Sequence, residues 1–140
     1  MTLSPAEAPI GALFEEVVVD NLTRTQIVQY AGASGDFNPL HTDEVFVTQV
    51  AGFPTVFAHG MLTMGMTGRM LTDTVGDGNL VRFGGRFRAQ VWPGDTLTAR
   101  AEVVDSSNAD GEWLVELAVS TTNQDGVEVF AGHATARLDP

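Results

Sequence analysis

Apolar residues recur with two different periods along this chain, and the switch between them divides it into elements. Phe14 to Asp20 is a valine-rich run that reads as a first strand. Thr23 followed by Gln26 has the form of a capping box, and Ile27, Tyr30 and Ala31 recur at helical spacing, which predicts a helix over Arg24–Ala33. A second short helix is expected from Thr42 or Asp43 through Val50. After the turn Gly52-Phe53-Pro54-Thr55, the residues Leu62, Met66, Met70 and Leu71, interleaved with Gly65 and Gly68, predict a buried helix over Gly60–Val75, stopped by Gly76.

From there the period is two. Leu80–Ala89, Thr96–Asp105, Glu112–Asn123 and Val127–Leu138 read as four strands, separated by Trp92–Asp95, Ser106–Gly111 and Gln124–Gly126. Three hairpin-like turns imply antiparallel pairing. One strand, then helices, then an antiparallel run gives an α+β sheet wrapped around a helix. The expectation is a single domain over residues 1–140, with Met1 to Pro9 as a loose leader.

Composition narrows the function more than the fold. The net charge of −11 opposes nucleic acid, whose phosphates the whole-molecule field would repel. No apolar run approaches the ~20 residues of a bilayer span, and no signal-like pattern opens the chain, so no membrane partner and a cytoplasmic location are expected. Absence of cysteine excludes disulfides, thiolate metal sites and cysteine nucleophiles. All seven cationic residues are arginine, and Arg82, Arg86 and Arg88 fall close together. That island suits either a phosphate-bearing ligand or ordinary surface ion pairs.

The residues richest in chemistry are Ser34-Gly35-Asp36-Phe37-Asn38-Pro39-Leu40-His41. Here a carboxylate and an imidazole stand five residues apart in a stretch stiffened by Gly35 and Pro39. The same residues are common turn vocabulary, so on their own they read equally as a loop or as an acid–base pair. No nucleophile elbow or phosphate loop occurs. His59 reads as a histidine buttressing that loop, and His133, mid-strand, as a core or interface histidine. Neither stands at metal-ligand spacing from His41, so no metal and no cofactor are expected. Met61, Met64, Met66 and Met70 read as core, or as the lining of an adaptable apolar tunnel.

Tyr30 through His41 resembles the hydratase-2 motif of the (R)-specific enoyl-CoA hydratases and MaoC-like dehydratases. The resemblance continues through Phe57-Ala58-His59-Gly60-Met61-Leu62, Val81-Arg82-Phe83, Arg86-Phe87 and Val91-Trp92-Pro93-Gly94-Asp95, in the family's order. Length and the segment from His59 to Gly65 look most like the catalytic subunit of mycobacterial (3R)-hydroxyacyl-ACP dehydratases. Val47 departs from the pattern, which usually has alanine or serine there; packing rather than chemistry is the expected role.

The resemblance implies a hot-dog fold and a hydro-lyase acting on trans-2-enoyl or (3R)-3-hydroxyacyl thioesters of CoA or acyl carrier protein. It implies Asp36 as base, His41 sharing the proton transfers, Asn38 orienting loop or water, and the backbone N–H of Gly60 facing the developing oxyanion. Phe37, Met61, Arg82, Arg86 and Arg88 are the substrate-binding candidates. A homodimer is implied, or a heterodimer with a second hot-dog subunit. Two other readings stay open: a non-catalytic or partner-dependent acyl-binding subunit, and a thioesterase on the same fold.

Overall fold

The computed structural model describes residues 3–139. Five antiparallel strands form one sheet: β1 (Leu13–Val19), β2 (Leu80–Phe87), β3 (Leu97–Ala109), β4 (Glu112–Thr122) and β5 (Glu128–Leu138), in the spatial order β1-β3-β4-β5-β2. Helix α1 (Arg24–Ser34) precedes the loop segment, and α2 (Gly60–Val75) lies against the concave face of the sheet. This is the hot-dog arrangement, α2 being the filling. Among the described residues, no helix is long and apolar enough to cross a membrane.

The period-two pattern explains which face takes the helix. Leu97, Ala99, Ala101 and Val103 of β3 are buried, as are Val115, Leu117 and Val119 of β4 and Ala134, Ala136 and Leu138 of β5. Alternate residues point outward, so one sheet face is apolar and the other wet. Met70, Leu71 and Val75 of α2 fill the apolar face. A buried polar contact between them is matched: the hydroxyls of Thr67 and Thr121 hydrogen-bond at 2.7 Å. Gly68 is where α2 comes closest to Phe83 of β2.

The elements follow their sequence signals, with three corrections. Thr23 caps α1, its side chain accepting from the Gln26 amide while Gln26 returns a bond to the Thr23 amide. The expected second short helix is present: Glu44 and Val45 are helical, Phe46–Val50 continues as a π turn, and Asp43 Oδ1 accepts from the Phe46 amide at its start, with a separate 3-10 turn at Pro39–His41 before it. The Ser106–Gly111 turn is mostly strand: β3 and β4 pair out to Ala109–Glu112, and Asp110 and Gly111, with φ of 54° and 83°, make the tight turn alone. The Trp92–Asp95 turn is not a hairpin, since β2 pairs with β5 and β3 with β1 and β4; it carries the chain from one sheet edge back across to β3. Finally, Leu3 and Ala8 are buried in the core, so residues 3–9 are tied down rather than loose; Met1 and Thr2 lie outside the described residues.

The crossing at Trp92–Asp95 is held by a buried carboxylate. Asp95 accepts from the Trp92 amide and from Gln124 Nε2, both at 2.9 Å, while its carbonyl accepts from the Leu22 amide at 2.8 Å. Val47 is fully buried, consistent with a packing role.

Candidate active site

The loop after α1 is fixed by its own short polar side chains. Gly35 ends the helix in the left-handed region at φ 74°, its amide bonding the Ala31 carbonyl. Ser34 Oγ donates to the Tyr30 carbonyl and accepts from the Asp36 amide. Asp36 Oδ1 in turn accepts from the Asn38 amide at 3.2 Å, and Asn38 Oδ1 from the Leu40 amide at 3.1 Å. These are successive Asx-type turns, the local alternative to a helix that Asp and Asn offer. Asn38 thus spends its oxygen on the turn that presents His41.

The ring of His41 is placed from the other side. Its Nδ1–H donates to the Phe57 carbonyl at 2.6 Å, because a carbonyl can only accept. In the neutral ring Nε2 is then the bare nitrogen. Burial pushes the imidazole below its ordinary 6.5; the Phe57 carbonyl opposes that shift, neighbouring His59 adds to it and Asp36 counters it. His41 is therefore neutral, with a free lone pair, across the neutral range.

His59 comes to this pair from 18 residues beyond His41 in sequence but lies against it in space. The two imidazoles stack with centroids 3.8 Å apart and planes at 24°. His59 Nε2–H donates to the backbone carbonyl of Asp36 at 3.0 Å, and Tyr30 packs edge-on against the ring's surroundings, with centroids 4.8 Å apart. The buttressing role expected for His59 matches this geometry. The expected distance from His41 does not: one ligand-type atom of each of Asp36, His41 and His59 lies within 4.8 Å of the others. Stacked rings hold their lone pairs in nearly parallel planes, which suits packing better than two ligands converging on one ion.

His59 also precedes α2, whose amides are the nearest fixed donors. The Leu62 amide is taken by the His59 carbonyl, whereas those of Gly60 and Met61 have no partner among the described residues. These are first-turn amides at the positive dipole end of a 16-residue helix, next in sequence to His59, whose side chain touches the loop. A Cβ on Gly60 would meet the ring of Phe87 at 2.8 Å, so the space a side chain would take is filled by β2 rather than left open to a ligand. Beside this contact lies a cavity of about 260 Å³ lined by Phe57, Gly60, Thr63, Phe87, Val91 and Val129, among others.

The other expected residues are more scattered. Phe37 and Met61 are exposed, next to Asp36 and Gly60 respectively. Phe83 and Phe87 of β2 point toward α2, which puts Arg82 and Arg86 on the opposite sheet face; of the three arginines only Arg88 lines the cavity beside Gly60. His133 is exposed on the outer face of β5, neither core nor buried. Phe87 and Tyr30 fall within the motifs that carry the resemblance, but their contacts with Gly60 and His59 come from the tertiary fold.

The chain is similar to known proteins over most of its length. The family model described as "MaoC like domain" matches residues 5–125. The chain is 35% identical over 113 residues to 3-hydroxyacyl-thioester dehydratase Y of Mycobacterium tuberculosis, covering 70% of this chain and 39% of that protein. It is 36% identical over 96 residues to enoyl-CoA hydratase ChsH3 of the same organism, covering 66% of this chain and 31% of that protein. The chain thus spans well under half the length of both relatives. Among solved structures, the unliganded R-hydratase PhaJ1 from Pseudomonas aeruginosa superposes with a TM-score of 0.85 at 26% identity, over 99% of this chain and 86% of that one. The (R)-hydratase from A. caviae gives 0.80 at 25% identity, over 94% and 97%.

Proposed function

The chain belongs to the MaoC-like domain family, and from that premise we propose that it interconverts trans-2-enoyl and (3R)-3-hydroxyacyl thioesters by adding or removing water. The observation that carries this reading is the pairing of Asp36 with a neutral His41 beside the unpartnered amides of Gly60 and Met61. A spacing of at most 4.8 Å between the two side chains suits one water donating a hydrogen bond to each. Its oxygen is then free to attack.

In the hydration direction the water oxygen bonds to Cβ and one water O–H breaks. The π electrons move onto Cα and the thioester oxygen, and a proton is delivered to Cα. Asp36 takes the proton from water, His41 Nε2 holds the second hydrogen, and the protonated member of the pair returns a proton to Cα, so H and OH are added in balance. The amides of Gly60 and Met61 receive the charge that builds on the thioester oxygen, each donor contributing on the order of 3 kcal/mol in the transition state. Asn38 acts by holding the turn between the pair.

The acyl carrier is CoA or an acyl carrier protein. Arg88, at the cavity, is the cation placed to meet a phosphate of either; Arg82 and Arg86 serve only if the carrier reaches the outer face of β2. Assembly with a second hot-dog subunit, identical or not, completes the reading, and native mass measurement distinguishes the two.

The test is hydration of crotonyl-CoA followed by loss of enoyl absorbance. Asp36→Asn and His41→Ala are each expected to lower kcat by roughly 10²–10⁴-fold. Unchanged rates in both variants overturn the assignment of the pair. Wild-type inactivity with every thioester, together with tight thioester binding, favours a partner-dependent acyl-binding subunit instead.

A further inference from the structure

His59 is buried to 2% exposure, and its side chain does three things at once. Its face covers the face of His41, its Nε2–H holds the carbonyl of Asp36, and its far side is backed by Tyr30 of α1. The Nδ1 atom is buried with no partner, so the ring is not placed there to complete a hydrogen-bond network of its own. An apolar ring would fill the same volume without stranding a buried nitrogen. The donor to Asp36 is what the imidazole adds over a phenyl ring; the flat face on His41 is what it adds over an amide.

We infer that His59 is a positioning residue through which Asp36 and His41 share one mount. The inference rests on the hydratase reading of that pair. Asp36 is on a loop and His41 on the following single turn; the Asx turns between them order the backbone but leave the plane of the imidazole untied to it. His59 supplies that tie, and it stands at the N-cap position of α2, the element that also presents the Gly60 and Met61 amides. A water-holding pair and an oxyanion site are thereby referred to one rigid helix. The titratable groups facing His41 are Asp36 and His59, and Tyr30 faces His59 from α1.

Two substitutions separate the two functions. His59→Phe keeps a ring against His41 and removes the donor to Asp36. His59→Gln keeps a donor near the Nε2 position and removes the ring. In His59→Phe the expected result is a kcat lowered about tenfold or more, with KM within a factor of about two, and an acid limb that stays below 6.5 because the ring still buries His41. In His59→Gln, kcat recovers part of that loss, while the acid limb moves up toward the ordinary value for histidine as water reaches the exposed face of His41.

Imidazole ¹⁵N spectra of the wild type supply a readout that needs neither turnover nor a folded variant. They should show the hydrogen on Nε2 of His59 and on Nδ1 of neutral His41; the opposite tautomer at His59 overturns the inference. Unchanged kcat and acid limb in two folded variants overturn it as well. If the wild type proves inactive, the hydratase reading fails by itself, and the NMR titration of His41 in His59→Gln still decides the coupling.

Discussion

The carbonyl of Phe57 accepts the Nδ1 hydrogen of His41 at 2.6 Å, and this contact decides which nitrogen of the ring faces the site. A backbone carbonyl cannot donate, so the neutral ring leaves Nε2 bare. The segment carrying Phe57 is itself anchored, since the next amide, of Ala58, bonds the Val91 carbonyl at 2.8 Å. The loop of α1 supplies the histidine, but the segment leading into α2 sets its tautomer.

Because burial holds the His41 imidazole below 6.5, activity that needs its bare Nε2 persists below that pH. The acid limb of kcat/KM is expected below 6.5, and a limb at or above 6.5 contradicts the environment described. Stability follows the same linkage. The unfolded histidine titrates near 6.5 and the folded one lower, so between those values the unfolded chain binds more protons. The His41 contribution is complete above 6.5 and is lost as pH falls from there through the folded value, which denaturation in a pH series will read.

Gly60→Ala places a methyl 2.8 Å from the ring of Phe87. Phe87 is half exposed and can swing aside, so the expected cost is about 1–3 kcal/mol of stability rather than failure to fold. A Phe87→Ala change in the same chain should recover part of it. Additive losses in the denaturation midpoints of the double variant would show that the two residues do not meet.

Asp95→Ala removes the acceptor of the Trp92 amide and of Gln124 at the crossing from β2 to β3. A buried amide left unpaired costs roughly 1–3 kcal/mol. Urea denaturation should show a loss of that size. A much smaller loss would mean that water replaces the carboxylate.

Thr23→Ala removes the half of the α1 capping box in which the hydroxyl accepts from the Gln26 amide, and leaves the bond from the residue-23 amide to Gln26 Oε1. The expected loss is about 1 kcal/mol, with kcat little changed, since the Gly35 end of the helix carries the site. A kcat that falls along with stability would mean that the start of α1 helps to position Asp36.

The sequence determined the elements because their signals are local. Capping at Thr23, the apolar spacing of α2 and the alternation of β3 to β5 each depend on neighbours within a few residues, and α2 falls on Gly60–Val75 as its pattern predicts. The loop from Ser34 to His41 was legible for the same reason, as its hydrogen bonds span two to four residues. Tertiary structure decided the rest. Strand order sends β2 past β3 and β4 to pair with β5, and so brings Phe87 over Gly60. Chain folding also stacks His59 on His41, a ring-on-ring contact more specific than the loop buttress read from the sequence. Contacts of that kind depend on which faces meet across the core, and no short-range pattern encodes that meeting.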